Sequence, residues 1–457
     1  MSEPAPTPSA RTPIAHQASP AAAPLRGAVR VPGDKSISHR AIMMGALAEG
    51  TTTIEGLLEG ADVMATIRAM RQLGATVTQG DGPGMWRVVG WGRQGPQEPA
   101  DVLDMGNAGT GARLLAGLLA PWPLTAFLTG DGSLRKRPMK RVTAPLGRMG
   151  VGFATRAGDR LPMAIQGTVK GRPITYRLPV ASAQVKSALM LAGLNCQGET
   201  VVIEPSPTRD HTENMLRHFG VPVSVEDTER GRTIRLTGPA TLRAVHINVP
   251  GDPSSAAFPL VAALLVPGSD VRIENVGLNP LRTGLLTTLR EMGADLQLED
   301  VRDGAGEAMG TLHARHSALK AVDVPAERAP SMIDEYPILA MACAMAAGTS
   351  RLRGLEELRV KESDRLAATL ALLQGNGVKA WVEGDDLFIE GSGGDPVPGG
   401  GVVATHMDHR LAMSAVVMGL ASQKGLEVDD LSFVDTSFPG FLQLLGQLQQ
   451  TPVGGKP

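Results

Sequence analysis

Hydrophobic and polar positions along the chain repeat in one order about six times. In each copy a small or polar residue opens a helix rich in Ala, Leu and Met, a β-branched strand follows, and a charged loop leads into a second, amphipathic helix that ends near glycine. In the first copy we expect the helices at 36–50 and 62–74 and the strand at 51–54. The later copies open, at intervals of roughly 75 residues, at Gly109, Ser182, Ser254, Ser331 and Asp408. The pattern predicts an α/β protein built from one repeated unit.

Six units predict two domains of three units each, because a unit of this size can bury its sheet only against its neighbours. The tetrapeptide Val-Pro-Gly-Asp occurs at 31–34 and 249–252, at the start of the first and fourth units. It is either a common turn or a pair of crossings between the domains, and its placement favours the crossings. We therefore expect a disordered tail rich in Ala, Pro, Ser and Thr at 1–24, a first domain at 34–248, a second domain at 25–33 plus 249–447, and a tail at 448–457.

Composition narrows the class of protein. The chain has 457 residues, too many for one ordinary core, and a net charge of −2. A nearly neutral chain that is 42% hydrophobic and 20% charged is typical of a soluble globular protein and gives no indication of binding nucleic acid or a membrane surface. The only cysteines, Cys196 and Cys343, exclude a disulfide framework and a cysteine-rich metal site. Because the sequence also lacks a signal peptide and any run of about 20 apolar residues, we expect a cytoplasmic protein.

Candidate chemistry lies where the units open and in the loops before their second helices. Lys35, Ser36 and Arg40 stand at a predicted helix start, where free N–H groups and the helix dipole favour an anion. Further charged or polar segments are 107–113, 135–139, 182–186, 208–210, 334–335, 359–365 and 408–410. Each alone is ordinary helix capping or surface charge, but equivalent positions of a repeat meet on one face. Several cations and a few carboxylates in one cleft suit a substrate with more than one phosphate or carboxylate.

Several common chemistries have no motif here. The sequence contains no Walker A loop, no Gly-x-Ser-x-Gly turn and no pair of histidines with zinc spacing. What remains is acid–base chemistry on anions, with no metal and no organic cofactor.

Eight stretches carry a resemblance to a known family: PGDKSISHR, GNAGTGAR, KRPM, SAQVKSA, TRDHTE, PSMIDEYP, ELRVKESDRL and DHRLAMS. They run from residue 32 to about 440, and by them the chain resembles the 5-enolpyruvylshikimate-3-phosphate (EPSP) synthase family, the enolpyruvyl transferases of aromatic amino-acid biosynthesis. SAQVKSA and TRDHTE are similar to the second class of these enzymes. The resemblance implies a two-domain inverted α/β barrel of six βαβαββ repeats, three in each domain, that closes on shikimate 3-phosphate and phosphoenolpyruvate.

The resemblance also implies residue roles. Asp334 would be the general base and Glu362 the general acid, with Lys35 assisting the proton transfer. The residues implied for shikimate 3-phosphate are Lys35, Ser36, Arg40, Ser182, Ala183, Gln184, Arg209, Asp334 and Lys361. Those implied for phosphoenolpyruvate are Lys35, Asn107, Gly109, Arg137, Gln184, Arg365 and Arg410.

Three positions bear on how closely the chain follows the family. Thr436 stands where many members carry a lysine on the phosphoenolpyruvate side, and Ala183 stands where many carry serine. Gly109 stands where herbicide-tolerant members of the second class have alanine, so we expect sensitivity to glyphosate, which occupies the phosphoenolpyruvate site in this family.

Two other functions are compatible with the same fold. A UDP-N-acetylglucosamine enolpyruvyl transferase typically carries a cysteine in the loop that is 130–139 here, and this loop has none. A non-catalytic anion-binding scaffold would not need Asp334 and Glu362 beside the cations. We further expect a monomer whose partners are its two small-molecule substrates, and a free form held open by repulsion between the cation clusters of its domains.

Overall fold

The computed structural model describes residues 12–229, 231–304 and 306–450, and these pack around two separate hydrophobic cores. One core consists of residues between 37 and 249. The other consists of residues 18–31 together with residues between 256 and 448. We call the parts of the chain around these cores the first and second domains.

The first domain contains three units. Its elements are, in unit one, α1 (Lys35–Leu47), β3 (Thr51–Glu55), α2 (Ala61–Gln72), β4 (Thr76–Gln79) and β5 (Trp86–Val89); in unit two, β6 (Leu103–Asp104), α3 (Gly109–Leu119), β7 (Thr125–Thr129), α4 (Lys140–Arg148), β8 (Gly152–Arg156) and β9 (Arg160–Gln166); in unit three, β10 (Thr175–Arg177), α5 (Ala183–Gly193), β11 (Gly198–Glu204), α6 (His211–His218), β12 (Val223–Thr228) and β13 (Gly231–Gly238); and then β14 (His246–Asn248). Two strands, β1 (His16–Ala18) and β2 (Arg26–Arg30), come before these elements.

The second domain repeats the arrangement. Its elements are, in unit four, α7 (Pro253–Leu265), β15 (Asp270–Gly277), α8 (Gly284–Glu291), β16 (Asp295–Gly304) and β17 (Glu307–Arg315); in unit five, β18 (Asp323–Val324), α9 (Tyr336–Met345), β19 (Thr349–Leu352), α10 (Arg365–Gly375), β20 (Ala380–Glu383) and β21 (Asp386–Glu390); in unit six, β22 (Val402–Val403), α11 (His409–Leu420), β23 (Leu426–Val428) and α12 (Phe441–Gln450).

One sheet topology recurs in the units. The described residues form five four-stranded sheets and one three-stranded sheet. In each four-stranded sheet the first two strands of the unit are parallel, and two antiparallel strands complete it in the order 1-2-4-3. Strand β14 supplies the first strand of unit one, and β2 supplies that of unit four. The predicted two-domain architecture of repeated βαβαββ units is therefore confirmed, with a sheet of three strands in unit six.

The predicted tails need correction. Residues 16–18, which we expected to be disordered, form β1, and β1 pairs antiparallel with β23 to complete the sheet of unit six. At the other end, α12 continues to Gln450 and buries Leu448, so the chain is still ordered at 448–450. Within the predicted tails, residues 1–11 and 451–457 lie outside the described residues. The first helix of unit five also begins later than Ser331, at Tyr336, because a 3-10 helix occupies Ala326–Ser331.

The two Val-Pro-Gly-Asp segments lie side by side where the chain passes between the domains. Gly33 and Gly251 form an antiparallel bridge, the N–H of Asp34 donates to the carbonyl of Pro250 at 2.8 Å, and the N–H of Asp252 donates to that of Pro32 at 2.9 Å. A side chain at position 33 would meet the carbonyl oxygen of Gly56 at 1.9 Å, so only glycine fits there.

The first helix of each unit is buried on almost every side, whereas the second helix has an exposed face. A helix that is apolar all round belongs in a core, which is why its N-terminus is the only part that can present polar groups to a cleft. The N-terminal regions of all six first helices reach one cavity, through Lys35, Thr110, Ala183, Asp252, Asp334 and Arg410.

Candidate active site

The cavity has a volume of about 520 Å³ and is lined by both domains. Eleven of the predicted site residues line it: Lys35, Ser36, Arg137, Ser182, Ala183, Gln184, Arg209, Asp334, Lys361, Glu362 and Arg410. Four do not, namely Arg40, Asn107, Gly109 and Arg365. The four lie directly behind the cavity wall, and their contacts indicate what they do there.

The guanidinium of Arg40 donates all its hydrogen bonds in the described structure to groups of the first domain. Nε donates to the hydroxyl of Thr212 at 2.7 Å, Nη1 to the carbonyl of Ser36 at 2.8 Å and Nη2 to the hydroxyl of Ser187 at 2.8 Å. Burial lowers the pKa of Arg40 to about 10, so it remains charged at neutral pH. Arg40 thus fixes the first turn of α1 to α5 and α6 and adds positive potential from behind.

Asn107 and Gly109 both shape the position of Arg137. The Asn107 Oδ1 accepts from Arg137 Nη2 at 2.7 Å, while its amide donates to Asp131 Oδ2 at 2.7 Å. A methyl group on Gly109 would lie 2.8 Å from Arg137 Nη1 and 3.1 Å from Arg113 Nη1. The absent side chain at 109 therefore lets two guanidinium groups approach the start of α3.

Arg113 lines the cavity, although only Asn107 and Gly109 of its motif were given roles from the sequence. Its guanidinium donates to the carbonyls of Gly109, at 3.4 Å, and Pro138, at 3.2 Å. Burial, together with the positive charge of Arg137, lowers the pKa of Arg113 to about 10. Two adjacent arginines make this wall strongly attractive to an anion.

Asp334 sits among cations from both domains. Its Oδ2 lies 2.5 Å from Arg209 Nη2, and its Oδ1 lies 3.1 Å from Arg365 Nη1 and 3.8 Å from Lys361 Nζ. Arg410 donates to its backbone carbonyl at 3.2 Å. Burial raises the pKa of Asp334, but the surrounding positive charges outweigh burial and hold it well below the ordinary value. Asp334 is therefore an ionised carboxylate, the state that a general base requires.

Glu362 occupies a second cationic position. Its Oε2 lies 2.6 Å from Arg365 Nη2 and its Oε1 lies 3.4 Å from Arg137 Nη1. Burial raises the pKa of Glu362, and the charges of Arg365 and Arg137 lower it further than burial raises it, so the pKa is well below its ordinary value. Arg365 links the two carboxylates and is itself held by both oxygens of Asp408, at 2.8 and 3.2 Å, with 1% of its side chain exposed.

Lys35 points toward a buried carboxylate of the first domain. Its Nζ lies 3.3 Å from Asp62 Oδ2, at the start of α2. Burial raises the pKa of Asp62, although the charge of Lys35 opposes that shift. The Lys35 ammonium, which lines the cavity, is therefore held from behind by a buried carboxylate.

The loop that carries Arg209 is anchored by a buried lysine. Lys186 has none of its side chain exposed, and its Nζ lies 3.0 Å from Glu204 Oε2, 2.7 Å from Glu213 Oε1 and 3.3 Å from the carbonyl of Thr208. These contacts tie α5 to both ends of the segment that contains Arg209.

Contacts between the domains differ from the repulsion that we expected. Cations of the first domain meet carboxylates of the second rather than other cations. Such ion pairs include Arg137–Glu362 at 3.4 Å, Arg209–Asp334 at 2.5 Å and Arg141–Glu357 at 3.1 Å, and in the opposite sense Arg282 of the second domain pairs with Asp34 of the first at 3.1 Å. We expected mutual repulsion because we considered only the cations. The loops of the second domain also carry Asp334, Glu357 and Glu362, which pair with arginines of the first domain.

A family model described as EPSP synthase (3-phosphoshikimate 1-carboxyvinyltransferase) matches residues 20–445. The chain belongs to this EPSP synthase family.

Individual relatives agree with the family assignment. A 3-phosphoshikimate 1-carboxyvinyltransferase of Acidiphilium cryptum is 64% identical over 424 residues, which is 93% of this chain and 94% of the relative. One from Gluconobacter oxydans is 64% identical over 425 residues, 93% of this chain and 95% of the relative. Among solved structures, the EPSP synthase of Acinetobacter baumannii superposes with a TM-score of 0.85 at 43% identity, covering 95% of this chain and 98% of that one. The EPSP synthase assignment is thereby favoured over the UDP-sugar enzyme.

The EPSP synthase cavity contains residues that sequence reasoning missed, and the repeat offers a rule for them. The loop before the second helix contributes Arg137 in unit two, Arg209 in unit three and Glu362 in unit five. The equivalent loop of unit four supplies Arg282 to the cavity, and in unit one Asp62, at the start of α2, lies behind the wall and contacts Lys35; neither had an assigned role. In unit six the equivalent residue is Thr436, whose hydroxyl donates to the carbonyl of Phe433 and which is not among the cavity residues.

Two further findings concern the described part of the chain. It holds no group of three or more His, Cys, Asp or Glu side chains placed to bind a metal. No helix in residues 12–450 is both long and apolar enough to cross a bilayer.

Proposed function

We propose that the cavity between the domains transfers the enolpyruvyl group of phosphoenolpyruvate to the 5-hydroxyl of shikimate 3-phosphate, with Asp334 as general base and Glu362 as general acid. The observation that carries this proposal is the pair of carboxylates, each surrounded by arginines and lysines, in a cleft that both domains line. A family of enzymes named for this transfer supports the choice of substrates.

In the addition step, Asp334 accepts the proton of the 5-hydroxyl while that oxygen bonds to C2 of phosphoenolpyruvate. Glu362 delivers a proton to C3, which becomes a methyl group, and a tetrahedral ketal phosphate results. In the elimination step, Glu362 takes a proton back from the methyl group as the C2–O bond to phosphate breaks. The leaving phosphate receives the hydroxyl proton held by Asp334, with Lys35 assisting, so that protons balance over the cycle.

Glu362 must be protonated for its first step, whereas in the free protein its pKa is well below the ordinary range. A bound phosphoenolpyruvate would place its own negative charges against Arg137 and the other cations of this wall. Those charges would compensate the cations and raise the pKa of Glu362. Binding of phosphoenolpyruvate thus favours the protonated form of Glu362, which can then act as the general acid.

The two substrates would contact different, partly overlapping sets of cavity residues. Shikimate 3-phosphate would contact Lys35, Ser36, Ser182, Ala183, Gln184, Arg209, Asp334 and Lys361. Phosphoenolpyruvate would contact Lys35, Arg137, Gln184 and Arg410, with Arg113 as an added cation. Arg40, Asn107, Gly109 and Arg365 would act from behind, by fixing the residues that touch the substrates.

Several finer assignments belong to the same proposal. SAQVKSA and TRDHTE support membership of the second class of EPSP synthases. The two hydrophobic cores support domain boundaries at the paired crossings, 31–34 and 249–252. The net charge of −2 supports a protein that binds neither nucleic acid nor membranes, and the protein would act as a cytoplasmic monomer.

Phosphate release tests the function. The enzyme should release phosphate from phosphoenolpyruvate only when shikimate 3-phosphate is also present, and each substrate alone is the control. Release with UDP-N-acetylglucosamine instead of shikimate 3-phosphate would favour the other enolpyruvyl transferase. Binding of both ligands by calorimetry without any turnover would favour the non-catalytic scaffold.

A further inference from the structure

Arg282 is a buried arginine at the cavity wall, outside the roles described above. It ends the 3-10 helix Pro280–Arg282, which precedes α8, and 2% of its side chain is exposed. Nη1 donates to Asp34 Oδ2 at 3.1 Å. Nη2 donates to Asp252 Oδ1 at 3.1 Å and to the hydroxyl of Ser254 at 2.8 Å. One guanidinium therefore joins two carboxylates that are 218 positions apart in sequence (252 minus 34).

Asp34 and Asp252 are the final residues of the two Val-Pro-Gly-Asp segments, and each caps a helix. Asp34 Oδ1 accepts from the N–H of Ile37 at 2.8 Å, and Asp252 Oδ1 accepts from that of Ser254 at 2.8 Å. The second oxygen of Asp252 accepts from the backbone N–H of Lys35 at 3.1 Å. The main chain at Lys35 is thus fixed by two aspartates, and Arg282 holds both.

Through Ser254 and Glu335, the guanidinium of Arg282 is also linked to Arg410, another cavity residue. Ser254, which accepts from Arg282, donates its hydroxyl proton to Glu335 Oε1. Arg410 Nη1 lies 3.6 Å from that glutamate oxygen. The start of α1 in the first domain is therefore connected through Arg282 to a cation of the second domain.

We propose that Arg282 is a positioning residue for the enolpyruvyl transfer: it fixes the start of α1 across the domain crossing and thereby sets where the Lys35 ammonium stands in the cavity. The inference rests on the role proposed above for Lys35. An arginine suits this task because its planar fork offers several N–H groups in fixed directions, whereas lysine has the same charge on one flexible nitrogen. A displacement of about 1 Å at a reacting group is enough to cost about 100-fold in rate.

The test is Arg282→Lys, which keeps the charge and removes the fork. We expect kcat to fall roughly 10- to 100-fold, as the positioning of one group is lost. Arg315→Lys is the control, because Arg315 also joins two aspartates, Asp270 at 3.2 Å and Asp295 at 3.3 Å, and none of the three lines the cavity. The control should keep wild-type kcat. Wild-type kcat in folded Arg282→Lys overturns the proposal.

A second readout separates positioning from general loosening of the fold. In a Lys35→Gln background the amine that Arg282 positions is gone, so adding Arg282→Lys should lower the remaining rate by less than about twofold. If the two losses multiply instead, Arg282 acts independently of Lys35 and the proposal is wrong. If Lys35→Gln alone keeps wild-type turnover, the role of Lys35 fails and the inference fails with it, while phosphate release by the wild type continues to support the overall reaction.

A milder variant covers the case in which Arg282→Lys does not fold. Asp34→Asn keeps an oxygen to cap the N–H of Ile37 and removes the charge that faces Arg282. We expect a wild-type circular dichroism spectrum with kcat reduced about tenfold, a part of the loss for a fully misplaced group. Unchanged kcat in this variant would overturn the proposal.

Discussion

Arg137 of the first domain lies 3.4 Å from Glu362 of the second, measured from Nη1 to Oε1. The charge environment of the proposed acid is therefore complete only where the two domains meet. The same arginine is fixed on its own domain by Asn107 and Ser133. A change in the cleft therefore alters the charge environment of Glu362 directly. Neither domain alone can set the pKa of this group.

Replacing the proposed acid should separate binding from turnover. In Glu362→Gln the amide cannot deliver a proton to C3, and we expect kcat to fall by about two to four decades. Calorimetry should show that shikimate 3-phosphate still binds. Glu357→Gln is the control, because Glu357 also pairs with an arginine across the cleft and is given no part in the proposed proton transfers. Near-normal kcat in Glu362→Gln would remove Glu362 from its role.

Replacing the proposed base should change both the turnover and the affinity for phosphate. Asp334→Asn removes a charge that faces Arg209, Arg365 and Lys361, so those cations become freer to attract phosphate. We expect kcat to fall by about two to four decades while inorganic phosphate binds more tightly than in the wild type. Parallel kinetics and phosphate titrations measure both effects. Full activity would show that another group accepts the hydroxyl proton.

Both carboxylates should make the protein less stable in acid. Their pKa values in the folded protein are held well below those of about 4 in an unfolded chain. Their contribution to the free energy of unfolding is therefore complete above about pH 4 to 5 and is lost as the pH falls toward the folded values. Urea unfolding between pH 6 and pH 3 should show this decline, and Glu362→Gln should decline less steeply. Equal slopes would contradict the assigned pKa direction.

Gly109→Ala should discriminate between ligands of different length. The new methyl group would lie 2.8 Å from Arg137 Nη1, so the arginine must shift into the space of a phosphoenolpyruvate-site ligand. Overpacking typically costs about 1–3 kcal/mol, and we expect glyphosate to weaken by roughly one to two decades while phosphoenolpyruvate loses less. Inhibition constants and KM values on both forms decide this. Wild-type resistance to millimolar glyphosate would show that Gly109 does not govern the choice.

Lys186→Met should destabilise the first domain strongly. It would leave Glu204 and Glu213 buried without their cation, and breaking a buried pair by removing one partner typically costs about 3–5 kcal/mol. Lys379→Met is the control, since Lys379 is 72% exposed and pairs with Glu390 at the surface, where little change is expected. Urea unfolding compares the two variants. A small effect at Lys186 would mean that the two glutamates share a proton in its absence.

The sequence predicted the repeat and most of the cavity because helix periodicity and motif spacing are local properties. The strand predicted at 51–54 is β3, at 51–55, and the helix predicted at 62–74 is α2, at 61–72. Arg40 and Arg365 were expected at the substrates, but the direction of a buried arginine depends on its neighbours in space, and both turn toward protein partners. Arg282 escaped notice because its partners, Asp34 and Asp252, come close only through the crossing of the chain.

Strand β1 has a consequence for how this protein is made. It pairs with β23, and the nearby N–H of Ile14 donates to Asp430, 416 positions later. A ribosome therefore synthesises almost the whole polypeptide before β1 can pair with its partner in the second domain, whereas the partner of β2, strand β15, is made much earlier. The first domain, whose core uses residues 37–249, can fold during synthesis, whereas the other must wait for its last unit. A truncation that removes β23 would leave β1 and β22 without their partner strand. Unpaired strand edges of this kind favour aggregation.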